Sequence, residues 1–279
     1  MKCGVAFSAA LVGAVSVFAY AAEEPQQAQP VEGTETEESE EGFHANLNID
    51  FLSDYVWRGQ ILCDAPVWQP GVELAYDFGD FGKLTTEIWS SLSLTDKKDV
   101  WSRRGMGFQE IDYRIAYSKK FGDFNFEVGH FWYTYCNTGS GDTTQELYGK
   151  VEWDNKILKP TYEVYWDYTD SGDNDPSAVY MNLKLDHKFA VDDQFSVTPY
   201  VSLGLADGAY LDYYGGVNKA EFADQNVGVT FEYEITDNVS LGAYLNYSWI
   251  VSHELRNSDY VGYGKNQILW GGFFVWFGF

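Results

Sequence analysis

The residues with chemistry to offer are acids on alternate positions. Asp54, Glu73, Glu110, Glu127 and Glu163 share one parity within short segments whose other residues are mostly apolar, together with Asp50, Asp77, Glu87, Asp112, Glu146 and Asp167. Bases of that parity are few: Arg58, Arg114, Lys150, Lys159 and Lys184. Residues two apart in a strand share a face, so the pattern sets an acidic face against an apolar one. Around a wet interior, such a face favours cations over anions. An interior whose charges pair with one another is the open alternative. Arg58 stands apart, at the outer end of the first strand, with Asp54 below it and Gln69 and Glu73 on the returning strand. Its planar fork suits a constriction that orients a carboxylate or phosphate. A salt bridge to Asp54 or Glu73 that pins the hairpin explains it equally well.

Other candidates are weaker. Cys63 and Cys136 lie in loops after the first and fifth strands and could form a disulfide across the mouth of a barrel. Asp170, Asp173 and Asp175 cluster carboxylates of a kind that binds calcium, but Gly172 and Asn174 beside them mark an ordinary turn. No metal site and no cofactor are expected. Of the four histidines, His130 falls on the apolar parity beside Trp132 and is the one candidate base for lipid hydrolysis at a membrane-facing wall. No nucleophile signature such as G-x-S-x-G accompanies it. No catalytic residue is assigned, and the chain is read as a non-enzyme.

The elements that position these residues repeat. Ala45, Leu47, Ile49, Phe51, Tyr55 and Trp57 oppose Asn46, Asn48, Asp50, Asp54 and Arg58; Trp68, Val72, Leu74, Tyr76 and Phe78 oppose Gln69, Glu73 and Asp77. Twelve such segments follow one another, with Trp89 and Phe131 as exceptions that place an aromatic ring on the polar face. Short connections at 79–82, 120–123, 154–156, 190–193 and 236–238 alternate with longer polar ones at about 59–66, 95–107, 136–143, 170–177, 206–221 and 253–264. That alternation predicts an all-β fold: a transmembrane antiparallel β-barrel, most simply of twelve strands, over residues 43–279. Tyr55, Trp57, Trp68, Trp166, Tyr168, Tyr247 and Trp249 form one expected girdle at the loop ends; Tyr76, Phe78, Tyr117, Trp153, Phe195, Tyr233 and Phe279 form the other.

Composition agrees. The chain has 10 Trp, 21 Tyr and 19 Phe, yet its mean hydropathy is −0.31. Beyond residue 21 no run of eighteen apolar residues offers a spanning helix. A formal charge of −24 makes nucleic acid an unsuitable partner. Residues 1–21, with Lys2, an apolar stretch and Ala19-Tyr20-Ala21, read as a signal peptide. Residues 22–42, rich in Glu and lacking Lys and Arg, read as an acidic disordered periplasmic tail. Leu269, Phe273, Val275, Phe277 and the terminal Phe279 share one face of the last segment, as in outer-membrane strands whose terminal aromatic is an assembly signal.

The opening Leu52-Ser53-Asp54-Tyr55-Val56-Trp57-Arg58-Gly59, followed by Pro66-Val67-Trp68-Gln69-Pro70-Gly71, resembles the start of a TorF-related family of outer-membrane proteins. Residues 127–135, 146–149 and 162–168 echo the same family. The resemblance implies an outer-membrane barrel and no particular substrate. The expectation is therefore a porin-like channel in a bacterial outer membrane, with both termini periplasmic, passing small hydrophilic and preferentially cationic solutes. The alternatives are a closed structural or adhesive barrel acting through its loops and, more remotely, a lipid-hydrolysing barrel. Expected partners are outer-membrane lipids and lipopolysaccharide, the barrel-assembly machinery, and small solutes.

Overall fold

Alternation of side chains makes each segment a strand with one wet and one dry face, and a ring of such strands leaves no edge unpaired. The computed structural model describes residues 41–95, 107–136, 143–155, 157–169 and 178–279. The signal segment, almost all of the acidic tail and the Asp170–Asp175 cluster lie outside these residues. Twelve strands form the wall: β1 (Gly42–Leu52), β2 (Val67–Asp77), β3 (Lys83–Ser93), β4 (Phe108–Phe121), β5 (Phe124–Tyr135), β6 (Thr143–Trp153), β7 (Lys159–Asp167), β8 (Ala178–Asp186), β9 (Phe195–Ala206), β10 (Glu221–Thr236), β11 (Val239–Ile250) and β12 (Gln267–Gly278). Each pairs antiparallel with its neighbours in sequence. The ring shuts where β1 pairs with β12, from Asn46↔Gly278 to Leu52↔Gly272.

The two faces differ as the alternation demands. Outward side chains are large and apolar, among them Leu269 at 64% exposure, Phe273 at 70% and Val128 at 60%. Such a wall suits lipid, not water. At the turn end Tyr76, Phe78, Tyr117, Trp153, Tyr233 and Phe279 point outward as expected. At the loop end Trp166 and Tyr247 do so too, but Tyr55 and Trp57 do not. β1 stops at Leu52, and both residues turn into the lumen, where each is at least nine-tenths buried.

Inward glycines make room for inward rings. A Cβ on Gly242 of β11 would strike the ring of Phe274 on β12, which fills the space in front of it. The loops at 206–221 and 251–266 also carry structure. The first holds helix α1 (Gly208–Gly215), capped by Asp207, whose carboxylate accepts from the Tyr210 amide at 2.8 Å. Gly216, at φ 66°, ends the helix in the left-handed conformation that favours glycine.

Candidate functional site: an occluded lumen

The site is built around a hairpin inside the barrel. Residues 55–57 pair with 60–63, and the turn between them is Arg58-Gly59, with φ of 45° and 75°. Two successive positive φ values mark a tight two-residue hairpin turn. A Cβ on Gly59 would collide with Asp224 on β10, so the turn lies directly against the wall. Along this hairpin Tyr55, Val56, Trp57, Arg58, Gln60, Ile61 and Cys63 are all buried. The first loop is therefore a plug.

Arg58 is the tip of that plug and is completely buried. Its Nη1 and Nη2 donate to Glu146 Oε1 and Oε2 of β6 at 2.8 and 2.7 Å, a bidentate pair. Nη1 also lies 3.4 Å from the Tyr210 hydroxyl of α1. The guanidinium stacks over Trp57, Tyr165 and Tyr180 with centroids 4.4 to 4.6 Å away. The Tyr133 hydroxyl donates to Glu146 Oε2 at 2.8 Å and completes that carboxylate's partners. Sequence parity suggested Asp54 or Glu73 as the Arg58 partner. The structure assigns Glu146 instead, because the hairpin carries Arg58 away from β1 and β2.

Neighbouring loops lock the plug. The Tyr260 hydroxyl donates to the Arg58 carbonyl at 2.8 Å, and Gly262 packs on the Ile61 carbonyl. Lys265 pairs with Asp64 at 2.5 Å. Tyr55 rests on Trp89 and donates to Glu110 Oε2 at 2.9 Å. Burial, with the Glu110 carboxylate second, pushes the Tyr55 phenol well above its ordinary pKa, so it remains a donor. Asp54 is not on the lumen wall; it lies half-buried in the bend entering the hairpin, near Asp64 and Lys265. Burial raises its pKa above the ordinary carboxylate value; a hydrogen bond with Ser53 opposes this and the Asp64 carboxylate adds to it.

Towards the turn end, the lumen carries a charge belt. Arg114 of β4 donates to Glu73 (2.8 Å), Glu87 (2.8 Å) and Glu127 (3.2 Å), thus tying β2, β3 and β5 together. Lys150 reaches Glu127 at 3.4 Å and sits opposite Glu163, which accepts from Asn182 at 2.9 Å. Glu73, Glu127 and Glu163 thus face inward as parity indicated, and they belong to a paired network. Four carboxylates against two bases leave that belt negative.

Cys63 and Cys136 do not bridge: both are free thiols. Cys63 is buried in the plug beside Ser93 and the Ala65 carbonyl, whereas Cys136 follows β5 on the wall. His130 is on the outward face as expected. Its Nε2 lies 2.5 Å from the Tyr168 hydroxyl, which in turn donates to Gln145. That chain of groups contains no nucleophile. Among the described residues, no cluster of acids, histidines or cysteines could hold a metal ion.

Glu146, Tyr210, Asp224 and Tyr260 are site residues that sequence reasoning did not single out. Glu146 had the right parity but nothing to rank it above its fellow acids. Trp89 carried the legible signal: an inward ring needs an apolar partner, and Tyr55 of the plug supplies it, whereas Phe131 packs on the wall rings Tyr133, Tyr148 and Tyr165.

The family model for MltA-interacting protein MipA matches residues 69–276, most of the barrel. The chain belongs to the MipA family. The TorF-related label finds no separate support, while the outer-membrane barrel it implied stands. Comparison with the curated proteins finds no match by sequence. Among solved structures, the NanC porin resembles this MipA-family chain with TM-score 0.45 and 10% identity, over 84% of this chain and 98% of that one. The KdgM porin does so at 0.44 and 10%, over 85% and 99%. Outer membrane phospholipase A from Escherichia coli does so at 0.44 and 13%, over 85% and 92%. These likenesses are weak, and the fold rests on the strand pairing itself.

Proposed function

We propose that this MipA-family protein is a bacterial outer-membrane barrel held shut at rest, which acts by contact with a partner. The observation that carries this reading is Arg58, fully buried at the tip of an in-folded hairpin and doubly hydrogen-bonded to Glu146 on the far wall. A solute crossing the barrel would have to displace that plug. Removing one member of such a buried pair strands the other charge at a cost of about 3–5 kcal/mol, so either single substitution is expected to loosen the plug. The family's description names MltA as a partner, which makes MltA the first candidate to test here. The turn end, where both termini emerge, is then the periplasmic face.

A second reading is favoured by the belt around Arg114, where acids outnumber bases. With the hairpin withdrawn, the same barrel is a porin-like channel whose wall prefers small cations. Planar-bilayer recording separates the two. The native chain is expected to give no steady conductance, and a chain lacking residues 54–64 to give steps whose reversal potential favours cations. Steady steps from the native chain would overturn the closed barrel. If neutralising Glu73, Glu110, Glu127 and Glu163 together leaves the selectivity of the opened chain unchanged, the acidic wall is not its cause. Co-purification of the full-length chain with MltA tests the partner, and its failure rejects that assignment alone.

A further inference from the structure

Beside the plug lies a cavity of about 50 Å³ at the loop end of the barrel. Three elements build it. The hairpin contributes Tyr55 and Trp57, α1 contributes Tyr213 and Tyr214, and the wall contributes Tyr135 and Glu110. Leu62, Gln109 and Thr144 complete the lining, which is dominated by aromatic rings and holds one carboxylate. The rings meet at steep angles: Trp57 and Tyr214 lie 5.6 Å apart at 65°, and Tyr213 and Tyr214 lie 4.8 Å apart at 84°. Tyr213 is half exposed at the rim.

Glu110 is the carboxylate of the cavity. It is 5% exposed and lines the cavity, yet among the described residues it accepts one hydrogen bond, from Tyr55, and pairs with no base. Asp224, against the hairpin turn, likewise accepts from a tyrosine, Tyr180, at 3.1 Å; Glu110 differs in lining the cavity. A buried carboxylate without a cation is costly. Aromatic faces around it carry negative quadrupoles that repel anions and attract a weakly hydrated cation. An anion would meet Glu110.

We propose that this cavity is a binding site for a small organic ammonium, with the cation against Glu110 and its methyl or methylene groups against Trp57, Tyr135 and Tyr214. Occupancy would also join the hairpin to α1 and to β4, so the ligand would hold the plug in place.

The probe is tetramethylammonium chloride, titrated at constant ionic strength against NaCl into the full-length chain in detergent micelles, by calorimetry. Saturable binding at one site per chain is expected, with no comparable signal from sodium acetate. Glu110→Gln should weaken it roughly tenfold or more. Tyr214→Leu, on the helix and away from the strand ladder, should weaken it by a similar factor. Heat-modifiable gel mobility reports whether each variant keeps its barrel, and the helix variant carries the test if the strand variant does not fold. Absence of saturable binding overturns the proposal. So does unchanged affinity in either variant that retains native mobility.

Discussion

At the scale of single residues, Arg58 and Glu146 hold the plug, and their worth differs according to what is removed. Arg58→Met leaves a carboxylate buried without a partner, and Glu146→Met leaves a buried guanidinium. Each should release the hairpin, whereas the double substitution should restore much of its docking. Cys63 is the reporter, since it is 1% exposed in the closed barrel. In a chain starting at Ala22 and carrying Cys136→Ser, maleimide should label Cys63 quickly in both single variants and slowly in the native and double variants. Equal labelling in all four would show that the pair does not hold the plug. Asp54 contributes a pH dependence. Its pKa is raised in the docked state, mainly by burial and further by Asp64, while Lys265 on the adjoining loop works against this. The docked hairpin therefore holds the Asp54 proton more tightly than a released one. Docking is strongest below the ordinary value of 3.8 and weakens as pH rises through the raised one. Openings in bilayer recordings should thus be rarer at pH 4 than at pH 7, and Asp54→Asn should narrow that difference. If Asp54→Asn retains the full pH difference, another group is responsible.

At the scale of elements, the strands were legible and the plug was not. Alternation set β2 to β12 in the order and parity observed, because lipid on one side and a lumen on the other leave a strand no other pattern. The first segment misled for a physical reason. Its alternation resumes after a single polar residue, Ser53, so Tyr55 and Trp57 have the parity of outward residues. In the fold they follow a bend at Ser53-Asp54 that no proline or glycine announces. The acids were legible as an inward face, but their pairing was not, because it depends on which strands the closed ring brings within reach of Arg114. Strand interiors also show where glycine is required. Gly242→Val should cost about 1–3 kcal/mol by driving Phe274 out of place. Gly149 of β6 meets nothing within 4 Å of its would-be Cβ, and Gly149→Ala should leave stability nearly unchanged. Urea unfolding in micelles, followed by gel mobility, compares them. Equal losses would show that the lumen in front of β11 is looser than described.

At the scale of the whole molecule, the ring depends on its last strand. β12 pairs with both β11 and β1, and the amide and carbonyl of Phe279 exchange hydrogen bonds with Ala45 at 2.9 and 3.1 Å. Deleting Phe279, or replacing it with Asp, should lower the amount of barrel inserted in the membrane while leaving purified, folded protein nearly unaltered. Normal membrane levels of the truncated chain would remove its role as an assembly signal. The same seam governs the plug. The hairpin begins three residues after Leu52, and Leu52 is paired with Gly272 across the junction of first and last strands. The lid is thus hinged on the doorpost where the cylinder closes.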